Sequence, residues 1–205
     1  MSTRKNGTDN PSGQTIWTNN NTLNHNTMGQ YYKPTILNKK NTGIKAWWYS
    51  WDYDNGLKLM EHSYMGNSLC NAVEHYLMRN PQRLVWAGDY ADNEKGMDTN
   101  IFMLSDDKEK RKITDGDTSA IPSGYFVVNH THREYYRRDA IEPFEKDWII
   151  NPLPILTCEG NGRGGGDYHC RTDADFVGTW ARCTIEVTDK EPGAEYAEIQ
   201  PYFSE

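Results

Sequence analysis

One segment of this chain carries an apolar stripe at helical period. Leu69, Val73 and Leu77 recur every four residues, with Ala72 and Tyr76 beside them. Asn67 or Ser68 is placed to cap its start and Asn80-Pro81 to close it, which predicts a helix over about 67–79. Glu74 and His75 fall off the stripe and are expected to face solvent. The other apolar runs are short and bounded by turn residues. Gln30–Leu37 reads as a strand, with Pro34 suggesting a sheet edge. Ile44–Ser50 reads as its hairpin partner, and Asn55-Gly56 signals a further hairpin into Leu57–Met60. Arg83–Ala87 and Asn100–Leu104 follow as short strands. Tyr125–Val128 and Glu134–Arg137 form a hairpin around His130–Arg133. Leu153–Thr157 reads as a buried strand and Phe176–Val187 as a late alternating one. Many short strands around one helix imply an α+β fold: a single domain, mainly antiparallel sheet.

The chain of 205 residues suffices for one sizeable core. Residues 1–27 are rich in Asn, Thr, Ser and Gly and read as a disordered leader, with 28–205 as the globular domain and an acidic tail from Asp189. No run of eighteen apolar residues exists, so no membrane helix is expected. The first thirty residues hold no apolar export core, which points to a cytoplasmic protein. A net charge of -7 argues against binding duplex nucleic acid through its phosphates. Cys70, Cys158, Cys170 and Cys183 then read as free thiols. A zinc site from the last three with His169 lacks the usual close pair of cysteines, so no metal is expected.

The most unusual segment is EGNGRGGGDYH, Glu159–His169. Gly160, Gly162 and Gly165 match G-x-G-x-x-G by spacing, yet DYHCRTDAD does not open a helix, as a dinucleotide fold requires. Two readings remain. Either this is a plain glycine loop, or the amides of Gly164, Gly165 and Gly166 converge on an anion beside Arg163 and Asp167. His130 and His132, with Asp89 at a strand end, are the candidate acid–base residues; the competing reading makes the histidines exposed turn residues. Asp52, Asp54, Glu61 and His62 form a third cluster, either paired carboxylates able to hold a divalent cation or divide acid and base roles, or ordinary turn chemistry. Asp89, Asp92 and Glu94 form a fourth. Lys108–Lys112 lies in a charged loop, Ser105–Thr118, expected to be solvated and mobile. Arg133, Arg137 and Arg138 lie among Tyr135 and Tyr136, a solvated face or a base-stacking one. No G-x-x-x-x-G-K-[ST], H-E-x-x-H, G-x-S-x-G or C-x-x-C motif is present, leaving those enzyme classes without support.

Several phrases are shared with other proteins. MGQYYKP (28–34), DYDNGLKLMEHS (52–63), VWAGDYAD (85–92), VNHT (128–131), PLPILTCEGNGRGGGDY (152–168) and VGTWAR (177–182) resemble a group of uncharacterised phage and bacterial proteins. The resemblance covers roughly residues 28–187 and implies a viral or mobile-element context without an activity. The expectation is therefore a phage-type accessory protein of the host cytoplasm that binds a small anionic ligand, a nucleotide being one type. The alternative is a virion component or an inhibitor of a host defence protein, with that protein as partner and no catalysis. The cofactor and the oligomeric state are left open.

Overall fold

The computed structural model describes residues 30–107, 110–144, 148–160, 169–170 and 176–204. Its strands are β1 (Tyr32–Leu37), β2 (Ile44–Trp48), β3 (Gln82–Gly88), β4 (Arg111–Ile113), β5 (Phe126–Asn129), β6 (Glu134–Arg137), β7 (Cys158–Glu159), β8 (His169–Cys170), β9 (Thr184–Thr188), β10 (Ala197–Glu198) and β11 (Phe203–Ser204). The helices are α1 (Leu59–His62), α2 (Ser68–Arg79), α3 (Ile101–Leu104) and α4 (Pro152–Leu156). A nine-stranded, mostly antiparallel sheet runs β10-β6-β5-β9-β3-β1-β2-β4, with β7 also on β3. This is an α+β domain, as the patterning predicts. Strand β3 is shared: Gln82 and Arg83 pair with β9, while Trp86 and Ala87 pair with β7 in parallel.

Helix α2 forms where its stripe predicts. The Asn67 side chain accepts from the amides of Leu69 and Cys70, which caps its start. Leu69, Val73 and Leu77 are fully buried in a core with Tyr32, Ile36, Trp48, Leu84 and Trp86. Alternation along the strands sends Leu37, Val85 and Ala87 to the other face, where Ile101 of α3 covers them. Strand β1 is thus buried on both faces.

Several expectations need correction. Pro34 is on a central strand; it is tolerated because the β1–β2 ladder starts at Thr35↔Trp47, just past it. Asn55-Gly56 does not turn a hairpin: a 3-10 turn over Ser50–Tyr53 leads through Asp54, in the left-handed region, to α1. Asn100 caps a short helix instead of opening a strand, its side chain accepting from the Met103 amide. Asn151 does the same for α4, so 152–156 is buried as expected but helical. Only Thr184–Thr188 of the late alternating run is a strand. Glu74 is fully buried rather than solvent-facing: Arg138 ion-pairs with it, and Asn151 Nδ2 donates to it at 2.7 Å. Within the charged loop, β4 is ordered onto the edge of the sheet beside β2.

Candidate functional site

Strand register assembles the most chemically distinctive surface. Thr35 stands opposite Trp47, and Trp47 opposite Lys112. Lys33, two residues before Thr35, shares its face. Lys33, Trp47 and Lys112 therefore lie together on the side of the sheet away from α2. Phe102 and Asp106, from α3 and the turn after it, close one wall; Tyr49, Trp51, Lys58 and Glu61 close the other. The result is a cleft of about 830 Å³, within the range of small-molecule sites.

Lys33 sits at its floor and is only 2% exposed. Its Nζ donates to Asp106 Oδ1 at 2.6 Å and to the Phe102 carbonyl at 3.3 Å. It also lies 3.9 Å from the Phe102 ring centroid and 5.2 Å from that of Trp47, distances at which a ring face attracts a cation. Burial pulls the Lys33 ammonium below its ordinary pKa, against the opposing pull of Asp106. Lys112 occupies the solvent side, 5.1 Å from the Tyr49 centroid and 2.7 Å from Asp52. Trp51 is 63% exposed at the rim. Three lysines and two carboxylates, Glu61 and Asp106, line the cleft; Asp106 offsets Lys33 and Asp52 offsets Lys112, so an anionic ligand would compete with these carboxylates for the ammonium groups. Flat apolar rings beside ammonium groups suit a planar ligand carrying negative charge.

Of the residues singled out in the sequence, Glu61 and Lys112 line this cleft, and of the three candidate acid–base residues Asp89 lies nearest it. Its Oδ1 accepts from the amide of Tyr31, a cleft residue, at 3.0 Å, and burial raises its carboxyl pKa. His130 and His132 are elsewhere. They occupy the β5–β6 turn, where the His130 amide donates to Thr184, whose register partner is Arg83. Asp89 lies six residues beyond Arg83, about 20 Å along an extended strand, so these three do not form one site. His130 is held instead by Glu186 and Tyr196, each at 2.8 Å. Arg163, Gly164, Gly165, Gly166 and Asp167 lie outside the described residues. Their approach is described: Gly160, at φ +93°, packs against Ala91, and Arg182 bridges Glu94 and Glu159 beside it. The third cluster does not converge on a cation, although Glu61 lines the cleft. Asp52 pairs with Lys112, Glu61 caps α1 by accepting from the Lys58 amide, and His62 is buried against Trp86.

Ser119, His75 and Asp117 also meet, but not as a proton relay. Ser119 Oγ and Asp117 both approach His75 Nε2, at 3.0 and 3.7 Å, so no carboxylate orients the opposite ring nitrogen. Among the described residues no group of His, Cys, Asp and Glu is arranged to hold a metal, and no helix is long and apolar enough to cross a membrane. Cys70, Cys158 and Cys183 are buried. No protein-family model, no curated protein and no solved structure matches the chain.

The sequence reading passed over the cleft itself. Its one local signal was the aromatic run WWYSWDY at 47–53. Lys33 and Lys112 join that run only through strand pairing.

Proposed function

We propose that the protein binds a small anionic ligand in the Lys33–Trp47–Lys112 cleft, and that a nucleotide is the type that fits best. The supporting observation is Lys33 itself: a lysine with almost no exposed surface, set among aromatic rings on the floor of an open cleft. A base stacks on the exposed Trp51 ring, with Tyr49 set edge-on beside it, and the phosphates take up Lys112 and Lys58 at the mouth. The activity would be that of an accessory protein of the phage and bacterial group whose phrases it resembles, working in the host cytoplasm.

The test is a titration of the full chain with nucleoside mono-, di- and triphosphates, read by tryptophan fluorescence and calorimetry. Saturable quenching is expected, with affinity falling about tenfold or more in Lys112→Ala, a loss on the scale of one charge-assisted contact. If Arg163→Ala abolishes binding and Lys112→Ala leaves it unchanged, the glycine segment is the site and the cleft assignment fails. If no nucleotide binds at millimolar concentration, the proposal fails and a protein partner becomes the better reading.

A further inference from the structure

A second constellation lies on the other side of the sheet's fork, around the turn that carries the two histidines. Arg182 takes a left-handed backbone conformation at φ 63° just before β9, and Cys183 follows it, 5% exposed. Across from it, the β5–β6 turn is shaped by Asn129. The Asn129 Oδ1 accepts from the amides of Thr131 and His132, at 2.9 and 3.1 Å. That turn points His132 back at the cysteine: His132 Nε2 lies 3.7 Å from Cys183 Sγ. The opposite ring nitrogen, Nδ1, lies 3.7 Å from Glu134 Oε2. Glu134 is fixed in turn by the indole of fully buried Trp180, whose Nε1 donates to the same oxygen at 2.7 Å.

Unlike His75 with its neighbours, His132 has thiol and carboxylate on opposite nitrogens. This is the order a general base needs: one nitrogen facing the thiol and the other facing a carboxylate, here at ion-pair rather than hydrogen-bond distance. An independent observation points at the same spot. Asn129 is fully buried, and its Nδ2 makes no hydrogen bond of normal geometry. It lies near enough to the sulfur, with the Thr131 side chain, to favour the thiolate, although burial keeps the Cys183 thiol above its ordinary pKa. An amide donor with unused capacity beside a nucleophile is the kind of group a developing oxyanion requires. His132, with 43% of its side chain exposed, is the solvent-facing member of this group, while Cys183 is 5% exposed and Asn129 fully buried.

We propose that Cys183, His132 and Glu134 form a thiol acyl-transfer site acting on esters or activated amides, with Asn129 Nδ2 as donor to the tetrahedral oxyanion. The thiol proton passes to His132 Nε2 as the Cys183 sulfur bonds to the acyl carbon. The carbonyl electron pair returns, the bond to the leaving oxygen or nitrogen breaks, and that atom takes the proton from Nε2. Water then adds to the thioester and gives Nε2 a proton. Collapse releases the acid and returns the proton to the sulfur. Cys183, His132 and Asn129 touch the reacting atoms; Glu134 is a positioning residue. The site is separate from the cleft and does not rest on the ligand assigned there.

The experiment uses the full chain and p-nitrophenyl acetate, with acid quenching and peptide mass analysis. An acetyl group is expected on Cys183, formed in a burst of up to one equivalent of nitrophenol. His132→Ala, on an exposed turn, is expected to fold and to slow acetylation about 100-fold, the lower end of general-base contributions. Glu134→Gln retains an acceptor for Trp180 and is expected to slow it less, about tenfold, with the burst amplitude preserved. Three results overturn the proposal. Cys183 stays unlabelled; it is labelled at the same rate in His132→Ala; or Cys70 and Cys158 are labelled as fast as Cys183, which means reaction through unfolding.

Discussion

Lowering the pH should destabilise this protein through one residue, His62. It is completely buried, and Trp86 Nε1 donates to its Nε2 at 2.9 Å. An indole N–H only donates, so Nε2 is the bare nitrogen and Nδ1 carries the proton that bonds the Gly56 carbonyl at 3.1 Å. Protonating Nε2 would remove the partner of a buried indole and place a charge in the core. Burial accordingly lowers the His62 pKa from 6.5 to about 4, against the smaller opposing effect of the Gly56 carbonyl. The unfolded chain binds this proton first as pH falls. The stabilisation is therefore complete above pH 6.5 and is lost on the way down to 4. Linkage gives a loss of about 2 kcal/mol by pH 5 and about 3 kcal/mol by pH 4. The assay is urea unfolding followed by tryptophan fluorescence between pH 7.5 and 4.5, on the wild type and on His62→Gln. Glutamine also offers an acceptor and a donor but does not titrate. All other titrating groups are common to both proteins, so the gap between their stabilities should narrow by about 2 kcal/mol between pH 7 and pH 5. A gap that stays constant refutes the reasoning.

Arg138→Met takes the ion-pair partner from buried Glu74, whose carboxyl pKa burial already raises, so Glu74 must stay uncompensated or take up a proton, and this should cost about 3–5 kcal/mol in chemical denaturation; the double variant Glu74→Leu/Arg138→Met should recover much of that loss. Gly88→Ala would set a Cβ 2.1 Å from Gln30 Nε2 and 2.3 Å from the Glu159 carbonyl, so the β3–β7 junction must open, lowering the unfolding midpoint by the equivalent of about 1–3 kcal/mol. Lys33→Met should behave oppositely. Asp106 has a side chain 55% exposed and stays solvated without its partner, so stability should change by less than about 1 kcal/mol, while nucleotide quenching in the cleft falls.

What the sequence reveals about this fold is what is decided locally. The α2 stripe, the Asn67 cap and the β5–β6 hairpin all depend on residues within a few positions of one another. Leu153–Ile155–Leu156 was legible as buried but not as helical, because a short apolar run has no period to measure; the deciding contact is the Asn151 side chain on the Leu153 amide. Glu74 looked like a solvent residue because its partners, Arg138 and Asn151, are 64 and 77 positions away. The functional surfaces fail for the same reason. Lys33 and Asp106 are 73 residues apart, and His132 and Cys183 are 51 apart. His132 was visible as chemistry, but its partner was not, since nothing near Cys183 in the string marks it as more than a core thiol.

The place of β9 has a consequence for how the protein is made. It lies between β3 and β5, pairing with both, yet it is specified by residues 184–188. During synthesis, β3 and β5 must wait for a strand that leaves the ribosome roughly a hundred residues after β3, at about 5–20 residues per second. Until then each presents an open edge able to pair with another chain. Premature termination before residue 184 should thus yield an aggregating fragment rather than a trimmed domain, and roughly the last tenth of the chain acts as the keystone on which the rest closes.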